Sequence, residues 1–201
     1  ANQKELWLEF ARHGFGRNAT STNTTANTDT DPTPDFEAIG TAPATVTFTA
    51  RRLNQNVPVN ARIFVGHYEA RSSPIADTNA ATTGPNLDNV ARFAPGTYEF
   101  VATAPGYGHV RFREQIREGK NVTITLRFAD NWASANAGAV ATGDTSGADA
   151  AAQAAQLRNL IDDTENTTWT TAGNIDAAGN LSADGKKVTV DLAGTAAQRI
   201  S

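Results

Sequence analysis

The stretch 93–112 constrains the fold of this 201-residue chain most, because it places a strand pattern between two Pro-Gly pairs. Proline pre-sets the first dihedral angle of a turn and glycine accepts the positive φ that follows, so Pro95-Gly96 and Pro105-Gly106 predict turns. Between them the side chains alternate with the period of two that is typical of a half-buried strand. One face would carry Tyr98, Phe100 and Ala102, and the other Glu99, Val101 and Thr103. The stretch therefore predicts a hairpin at the centre of a β-domain.

Further alternating segments flank this hairpin and extend the β-rich region over residues 44–128. Apolar residues alternate with polar ones on both sides of the hairpin, and turn-forming residues separate the segments. The apolar positions are Val46, Phe48, Ile63, Val65, Val122, Ile124, Leu126 and Phe128. About five or six short strands with turns between them are typical of a small antiparallel β-sandwich.

The N-terminal residues 1–16 predict a helix that ends at Gly14, a residue suited to a left-handed cap. Leu6, Trp7 and Phe10 form a broad apolar stripe on one side of this helix. A short helix with such a face is not stable alone in water, so it needs a partner surface. We therefore expect a terminal helix that belongs to a domain whose remaining part lies outside this chain.

Two segments with the composition of linkers separate the predicted units. Residues 17–43 are rich in Ser, Thr and Asn and contain two closely spaced prolines, and residues 129–147 are mostly Ala, Gly, Asn, Ser and Asp. The remaining segment, 148–201, opens with an alanine-rich run that favours a short helix. The expected organisation is thus a helix, a linker, a sandwich, a second linker and a C-terminal segment.

Composition excludes several classes of function. The formal net charge of −4 argues against a generic polyanion binder, nucleic-acid binders included, and the absence of Cys excludes a thiol nucleophile and a Cys-ligated metal. The three histidines, His13, His67 and His109, lack the His-Glu-x-x-His spacing of zinc peptidases, so we assign no catalytic residue. No stretch is long and apolar enough to predict a membrane span.

The hairpin carries a motif of a known module type. Its two Pro-Gly pairs stand in Ala94-Pro95-Gly96-Thr97-Tyr98 and in Ala104-Pro105-Gly106-Tyr107. This pattern resembles the carboxypeptidase regulatory-like and PEGA-type β-sandwich modules. The resemblance implies the sandwich fold for 44–128 and is nearly silent about function.

The C-terminal segment carries a second signature, in which an acidic turn and a tryptophan precede a strand. Residues 160–169 read Leu-Ile-Asp-Asp-Thr-Glu-Asn-Thr-Thr-Trp, and residues 187–192 read Lys-Val-Thr-Val-Asp-Leu. This order is similar to the opening of discoidin-type, galactose-binding-like jelly rolls, which are longer than the segment 148–201. The resemblance implies a partial jelly roll, so the expected fold class is mainly β, with a small antiparallel sandwich, an N-terminal helix and this partial jelly-roll segment.

In the discoidin-like family the acidic turn often holds a structural calcium ion. Carried over by position, the resemblance implies Asp162, Asp163 and Thr168 as calcium ligands, and hard oxygen ligands on a loop suit that ion. The alternative is that the two aspartates only cap a turn and that Trp169 is a core residue.

The N-terminal helix carries the third resemblance. Residues 6–16 read Leu-Trp-Leu-Glu-Phe-Ala-Arg-His-Gly-Phe-Gly, which is similar to the C-terminal end of the fungalysin family of secreted zinc metallopeptidases. The order of helix, sandwich and discoidin-like start matches bacterial members of that family. The resemblance implies a secreted, non-catalytic accessory region, with zinc only in a missing catalytic domain that packs on Leu6, Trp7 and Phe10. The alternative is a free-standing extracellular module for adhesion to a protein or glycan ligand.

Overall fold

Strands dominate the structure, a computed structural model that describes residues 3–21, 32–69, 74–79, 88–171 and 187–194. The predicted mainly β fold is confirmed. The chain divides into two compact units, the first comprising residues 1–104 and 109–129 and the second comprising residues 105–108 and 130–201.

The first unit contains one helix and seven strands in its described residues. These elements are α1 (Gln3–Arg12), β1 (Ala44–Arg52), β2 (Arg62–Val65), β3 (Ala76–Asp77), β4 (Val90–Phe93), β5 (Gly96–Thr103), β6 (Val110–Ile116) and β7 (Asn121–Phe128). One sheet has the strand order β4-β1-β7 and the other has the order β3-β2-β5-β6. All neighbours are antiparallel except β1 and β7, which run parallel from the Thr45–Asn121 pair to the Arg52–Phe128 pair.

An aromatic cluster joins the two sheets of the first unit. Phe100 on β5 lies 5.8 Å from Phe48 on β1 and 5.6 Å from Phe93 on β4, measured between ring centroids. All three side chains are almost fully buried, and burial of a Phe side chain contributes about 1.5–3 kcal/mol. The Tyr98 hydroxyl donates a hydrogen bond to the Ala94 carbonyl at 2.9 Å, and burial raises the pKa of Tyr98 to about 12.

The two Pro-Gly pairs have different roles, and the prediction of a positive φ holds at only one of them. Gly106 has φ +85 in the turn between β5 and β6, as expected. Gly96 is already the first residue of β5, its φ is not in the left-handed range, and the chain here passes from the β4 sheet to the β5 sheet. A Cβ atom on Gly96 would lie 3.1 Å from Nε of Arg12 and 3.3 Å from the Tyr98 ring. Glycine at this position therefore avoids tight contacts with these two side chains and does not supply a positive φ.

Helix α1 packs on the first unit through only part of its apolar surface. Trp7 and Leu8 are partly buried against a small core that contains Ala11, Ala38 and Ala94. Helix α1 ends at Arg12, and Gly14, just beyond it, has φ +84 and donates its amide to the Ala11 carbonyl at 3.0 Å, in agreement with the predicted left-handed cap. Neither helix of the described residues is long and apolar enough to cross a membrane.

Part of the segment predicted as the linker 17–43 packs within the first unit. Phe36 is only 5% exposed, and its ring lies 5.4 Å from Phe93 and 5.9 Å from Tyr98. Its carbonyl also accepts a backbone hydrogen bond from Ala94 at 2.6 Å. Phe36 is the one large aromatic side chain of a segment whose other residues are mostly polar. The average composition of the segment therefore resembles that of a linker although Phe36 is part of the core.

The second unit contains a two-stranded sheet and a helix in its described residues. The strand β8 (Val140–Gly143) pairs in the antiparallel direction with β9 (Val188–Asp191), and α2 (Ala150–Arg158) lies between them in the sequence. The predicted linker 129–147 thus includes a strand and a short 3-10 turn, Ala135–Ala137. A small core of Ala139, Ile161 and Ala193 is buried in this unit.

Candidate functional site

Asp163 is the centre of a hydrogen-bonded turn in the second unit. The Gly106 amide donates to its Oδ2 at 2.8 Å and Asn136 Nδ2 donates to the same oxygen at 2.9 Å. Asn131 Nδ2 donates to Oδ1 at 2.9 Å, and the Ser134 hydroxyl makes a short hydrogen bond to Oδ2. The backbone of Asp163 has φ +64, a left-handed conformation that Asp and Asn tolerate better than other side chains. One carboxylate therefore connects three separate segments of this unit.

These donors keep the Asp163 carboxylate ionised. Burial alone would raise the pKa of this group, but the hydrogen bonds from Ser134, Asn136, Gly106 and Asn131 together hold it below its ordinary value. Ser134 is fully buried, so its hydroxyl has no access to bulk water as an alternative partner. We call Asp163 and its four donors the Asp163 turn.

The three predicted calcium ligands lie in or next to this turn. Asp162 Oδ2 accepts a hydrogen bond from the Thr167 hydroxyl at 2.8 Å, and Thr168 is exposed, with its carbonyl accepting from Asn159 Nδ2 at 2.8 Å. The donor groups around Asp163 suit an anion, and a cation would have to displace them to reach that carboxylate. Within the described ranges no group of three or more His, Asp or Glu residues could hold a metal ion. Calcium binding at Asp162, Asp163 and Thr168 stays a prediction.

The hydrogen bonds agree with the alternative in which the aspartates organise the turn. Asp162 Oδ1 also accepts the backbone N–H of Thr164 at 3.3 Å, a local bond of the kind that Asp makes two residues ahead in turns. Trp169 is partly buried, and its Nε1 atom is buried without a hydrogen-bond partner among the residues that the structure describes. This residue is thus less enclosed than a core tryptophan.

The donors of the Asp163 turn were not predicted from the sequence. Asn131, Ser134 and Asn136 lie in the segment 129–147, which the composition predicts as a linker. Their signal in the sequence is the spacing of short polar residues, Asn-x-x-Ser-x-Asn, ahead of Gly138, whose φ of +105 ends the 3-10 turn. These donors can be recognised as one set only when the carboxylate that accepts their hydrogen bonds, that of Asp163, is also known.

Helix α1 presents the second candidate surface, in the first unit. Leu6 is 54% exposed and Phe10 is 44% exposed, whereas Trp7 on the neighbouring side packs on the core described above. Phe15, just beyond the helix, is 67% exposed, and its amide is bonded to the Phe10 carbonyl at 2.9 Å. We call Leu6, Phe10 and Phe15 the α1 apolar patch. Of the three residues predicted to contact a partner domain, Trp7 thus packs on the chain's own core, whereas Leu6 and Phe10 are exposed.

Comparison with known proteins adds little to this geometry. No protein-family model and no curated protein matches the chain. Among solved structures, phospholipase PlaB from Legionella pneumophila is similar with a TM-score of 0.30 and 11% sequence identity. The match covers 84% of this chain and 34% of that chain, so this chain spans about a third of the other protein's length. A TM-score this low carries no argument about fold or activity.

Proposed function

We propose that this chain is a non-catalytic accessory region of a secreted zinc metalloendopeptidase and that the α1 apolar patch contacts the catalytic domain of that enzyme. The observation that carries the proposal is the exposure of Leu6 and Phe10 on a helix whose other side is already packed. The resemblance of residues 6–16 to the end of a fungalysin catalytic domain supports the identity of the partner. In this proposal zinc is held by the catalytic domain, and the accessory region positions or stabilises the enzyme at its substrate or at a surface.

The free energy that burial of the α1 apolar patch would provide suits a contact between two parts of one polypeptide. Complete burial of a Leu or Phe side chain contributes about 1.5–3 kcal/mol, and Leu6 and Phe10 are each about half exposed. Covering both would therefore add roughly 2 kcal/mol. This gain is too small to hold two separate proteins together but is useful when the chain already links the partners.

The second candidate function is a free-standing extracellular module for adhesion or glycan binding. The packing of Trp7, Leu8 and Ala11 against the module's own residues favours it, because a helix anchored in this way does not depend on a missing domain. The two functions differ in what they require of Leu6 and Phe10. An accessory region needs both residues for its partner, whereas an independent module tolerates polar residues at both positions.

The experiment begins with the gene that encodes this chain. The coding sequence upstream of Ala1 is read for His-Glu-x-x-His, and the domain that carries this motif is produced joined to the chain, as the gene encodes it. We expect the double substitution Leu6→Ser/Phe10→Ser to lower the melting temperature of the catalytic domain in the joined protein and to change the melting of the chain alone much less. The matched control is Leu53→Ser/Val57→Ser, which removes two apolar side chains of similar exposure, 45% and 48%. Absence of the motif, or equal melting of the catalytic domain in both double variants of the joined protein, would reject the accessory-region proposal.

A further inference from the structure

Arginines line one exposed face of β6, the edge strand of the four-stranded sheet. Alternate side chains of a strand point to the same face, so Arg111, Arg113 and Gln115 lie on one side, and Arg117 follows directly after the strand. All four residues are exposed, and neighbouring members of the set are separated by about 7 Å along the chain. The strand therefore presents guanidinium groups in a line.

A groove extends this line towards α1. It has a volume of about 620 Å³, and Arg12, Gly96, Thr97, Gln115 and Arg117 are among its lining residues. The Arg12 side chain lies over Gly96, and its Nη2 donates a hydrogen bond to the Pro95 carbonyl at 3.4 Å. Arg12 and Arg117 thus face the same groove. We call Arg12, Arg117, Arg113 and Arg111 the arginine row.

Neighbouring carboxylates offset part of this positive charge without pairing with every arginine. Arg12 pairs with Glu9 at 3.0 Å, and Glu99 lies opposite Arg113 in the sheet, where its negative charge is close to that guanidinium. Across the part of the chain that the structure describes, the side chains of Arg113 and Arg117 make no ion pair or hydrogen bond.

Two further contacts define the row. Glu118, which lines the groove with Arg117, accepts the Ala42 amide at 3.3 Å and keeps its negative charge. Arg111 donates from Nε to the His67 carbonyl at 2.9 Å, which fixes its position at the far end of the row. A ligand with spaced negative charges would therefore meet the fixed guanidinium of Arg111 and the guanidinium groups of Arg113 and Arg117, which make no ion pair with the described residues.

We propose that the arginine row binds an acidic polysaccharide, with the chain of sugars extended along β6 and one end in the Arg12–Arg117 groove. Guanidinium groups recognise carboxylate and sulfate groups through paired hydrogen bonds, and a linear polymer with regularly spaced anionic groups matches a linear row. Tyr68, next to His67 in the sequence, is 67% exposed and offers an apolar ring face near the Arg111 end. This inference does not depend on the peptidase proposal.

The overall charge disfavours an anionic polymer of high charge density, such as a nucleic acid, more than one of lower charge density. The chain has a net charge of −4 and a sequence pI of about 5.3, whereas domains that bind nucleic acids are usually strongly basic. Double-stranded DNA carries about one charge per 1.7 Å and would meet repulsion outside the row. An acidic polysaccharide has at most a few charges per disaccharide, so four aligned arginines suffice for it.

The test measures binding of the whole chain to polygalacturonate, with dextran sulfate as a sulfated probe and neutral dextran as the uncharged one. Binding is followed by affinity electrophoresis and by calorimetry at two salt concentrations. We expect Arg113→Gln/Arg117→Gln to weaken binding to the anionic polymers by about tenfold, and added salt to weaken binding of the unmodified chain. Comparison of the two anionic polymers shows whether carboxylate or sulfate is preferred, and binding to either supports the proposal.

The control is Arg92→Gln/Arg127→Gln, which removes the same charge from two exposed arginines on β4 and β7 of the other sheet. Arg92 lies 3.7 Å from Glu37 and Arg127 donates to the Gln55 carbonyl at 3.4 Å, exposed contacts that each contribute about 1 kcal/mol or less. This control should leave binding within about twofold of the unmodified chain, and all variants should be folded at the temperature of the assay. An equal loss in both double variants would mean that only net charge matters and would overturn the site. Retention of neutral dextran alone, tighter binding to single-stranded DNA, or no binding to either anionic polymer would overturn the ligand class.

Discussion

Replacing Asp163 by Asn tests whether the Asp163 turn stabilises the second unit. Asn tolerates the left-handed backbone at φ +64 about as well as Asp does, so the substitution removes the charge without adding backbone strain. The side-chain nitrogen of the new Asn is a hydrogen-bond donor, and it faces donor groups that need an acceptor. The change is therefore confined to the hydrogen bonds that reach the carboxylate.

The expected loss follows from the number and type of those bonds. A hydrogen bond to a charged group contributes about 1.5–3 kcal/mol, and four donors meet at this one carboxylate. Asn retains one acceptor oxygen, and exposed Asn136 can turn to water, so the full sum is not lost. We expect Asp163→Asn to lower the free energy of unfolding of the second unit by about 2–4 kcal/mol.

The assay follows urea unfolding by tryptophan fluorescence in a Trp7→Phe background. Trp132 and Trp169 then report on the second unit alone, because the only other tryptophan, Trp7, belongs to the first. The control is Asp162→Asn, at a neighbouring carboxylate whose hydrogen bonds are local, and its expected cost is about 1 kcal/mol or less. Equal midpoints for Asp163→Asn and the parent protein would show that the turn does not stabilise this unit.

The same variant has a defined pH dependence. The pKa of Asp163 is lower in the folded protein than in the unfolded chain, so the stability that its charge provides is complete above the unfolded pKa of about 3.9. It is lost as the pH falls through the still lower folded pKa. The stability difference between the parent and Asp163→Asn should thus be constant near neutral pH and become smaller below about pH 4.

Three further predictions concern the core, the chemistry and the metal. Phe100→Ala should destabilise the first unit by about 3–5 kcal/mol in urea, and Thr97→Ala on the exposed face of the same strand by less than about 1 kcal/mol, so similar midpoints would mean that the strand face is misassigned. The purified chain should not cleave casein with or without added zinc, and chelator-sensitive cleavage would contradict this. If calcium binds at Asp162, Asp163 and Thr168, millimolar calcium should raise the melting temperature of the second unit in a way that Asp162→Asn abolishes, and identical melting in calcium and in chelator would remove that prediction.

Strands β5 and β1 were predictable because the alternation of apolar and polar residues along a strand is a local signal in the sequence. The residues Tyr98, Phe100 and Ala102 are buried as expected, and β1 shows the same alternation around Phe48. The sequence did not predict that Val101 and Thr103 are also buried, because the second face of a strand is covered by residues distant in sequence. Phe64, beside Val101 on β2, is one such residue.

The less regular parts could not be predicted from composition. Phe36 lies in a polar segment, and its role depends on contacts with Phe93 and Tyr98 that are far away in the sequence. Strand β8 is only four residues long, Val-Ala-Thr-Gly, which is too short to show a clear alternation, so its pairing with β9 could not be read from the sequence. The candidate calcium ligands were assigned by position in a resembled family, and the donors that surround Asp163 have no equivalent in that pattern.

The parallel pairing of β1 with β7 determines how the sandwich responds to mechanical force. The chain enters β1 at residue 44 and leaves β7 at residue 128, so tension between these points pulls the two strands in opposite directions along their length. Eight residue pairs, from Thr45–Asn121 to Arg52–Phe128, then bear the load in shear and must separate together rather than one after another. Loaded in this way, the sandwich should resist force better than one whose strand pairs separate one after another.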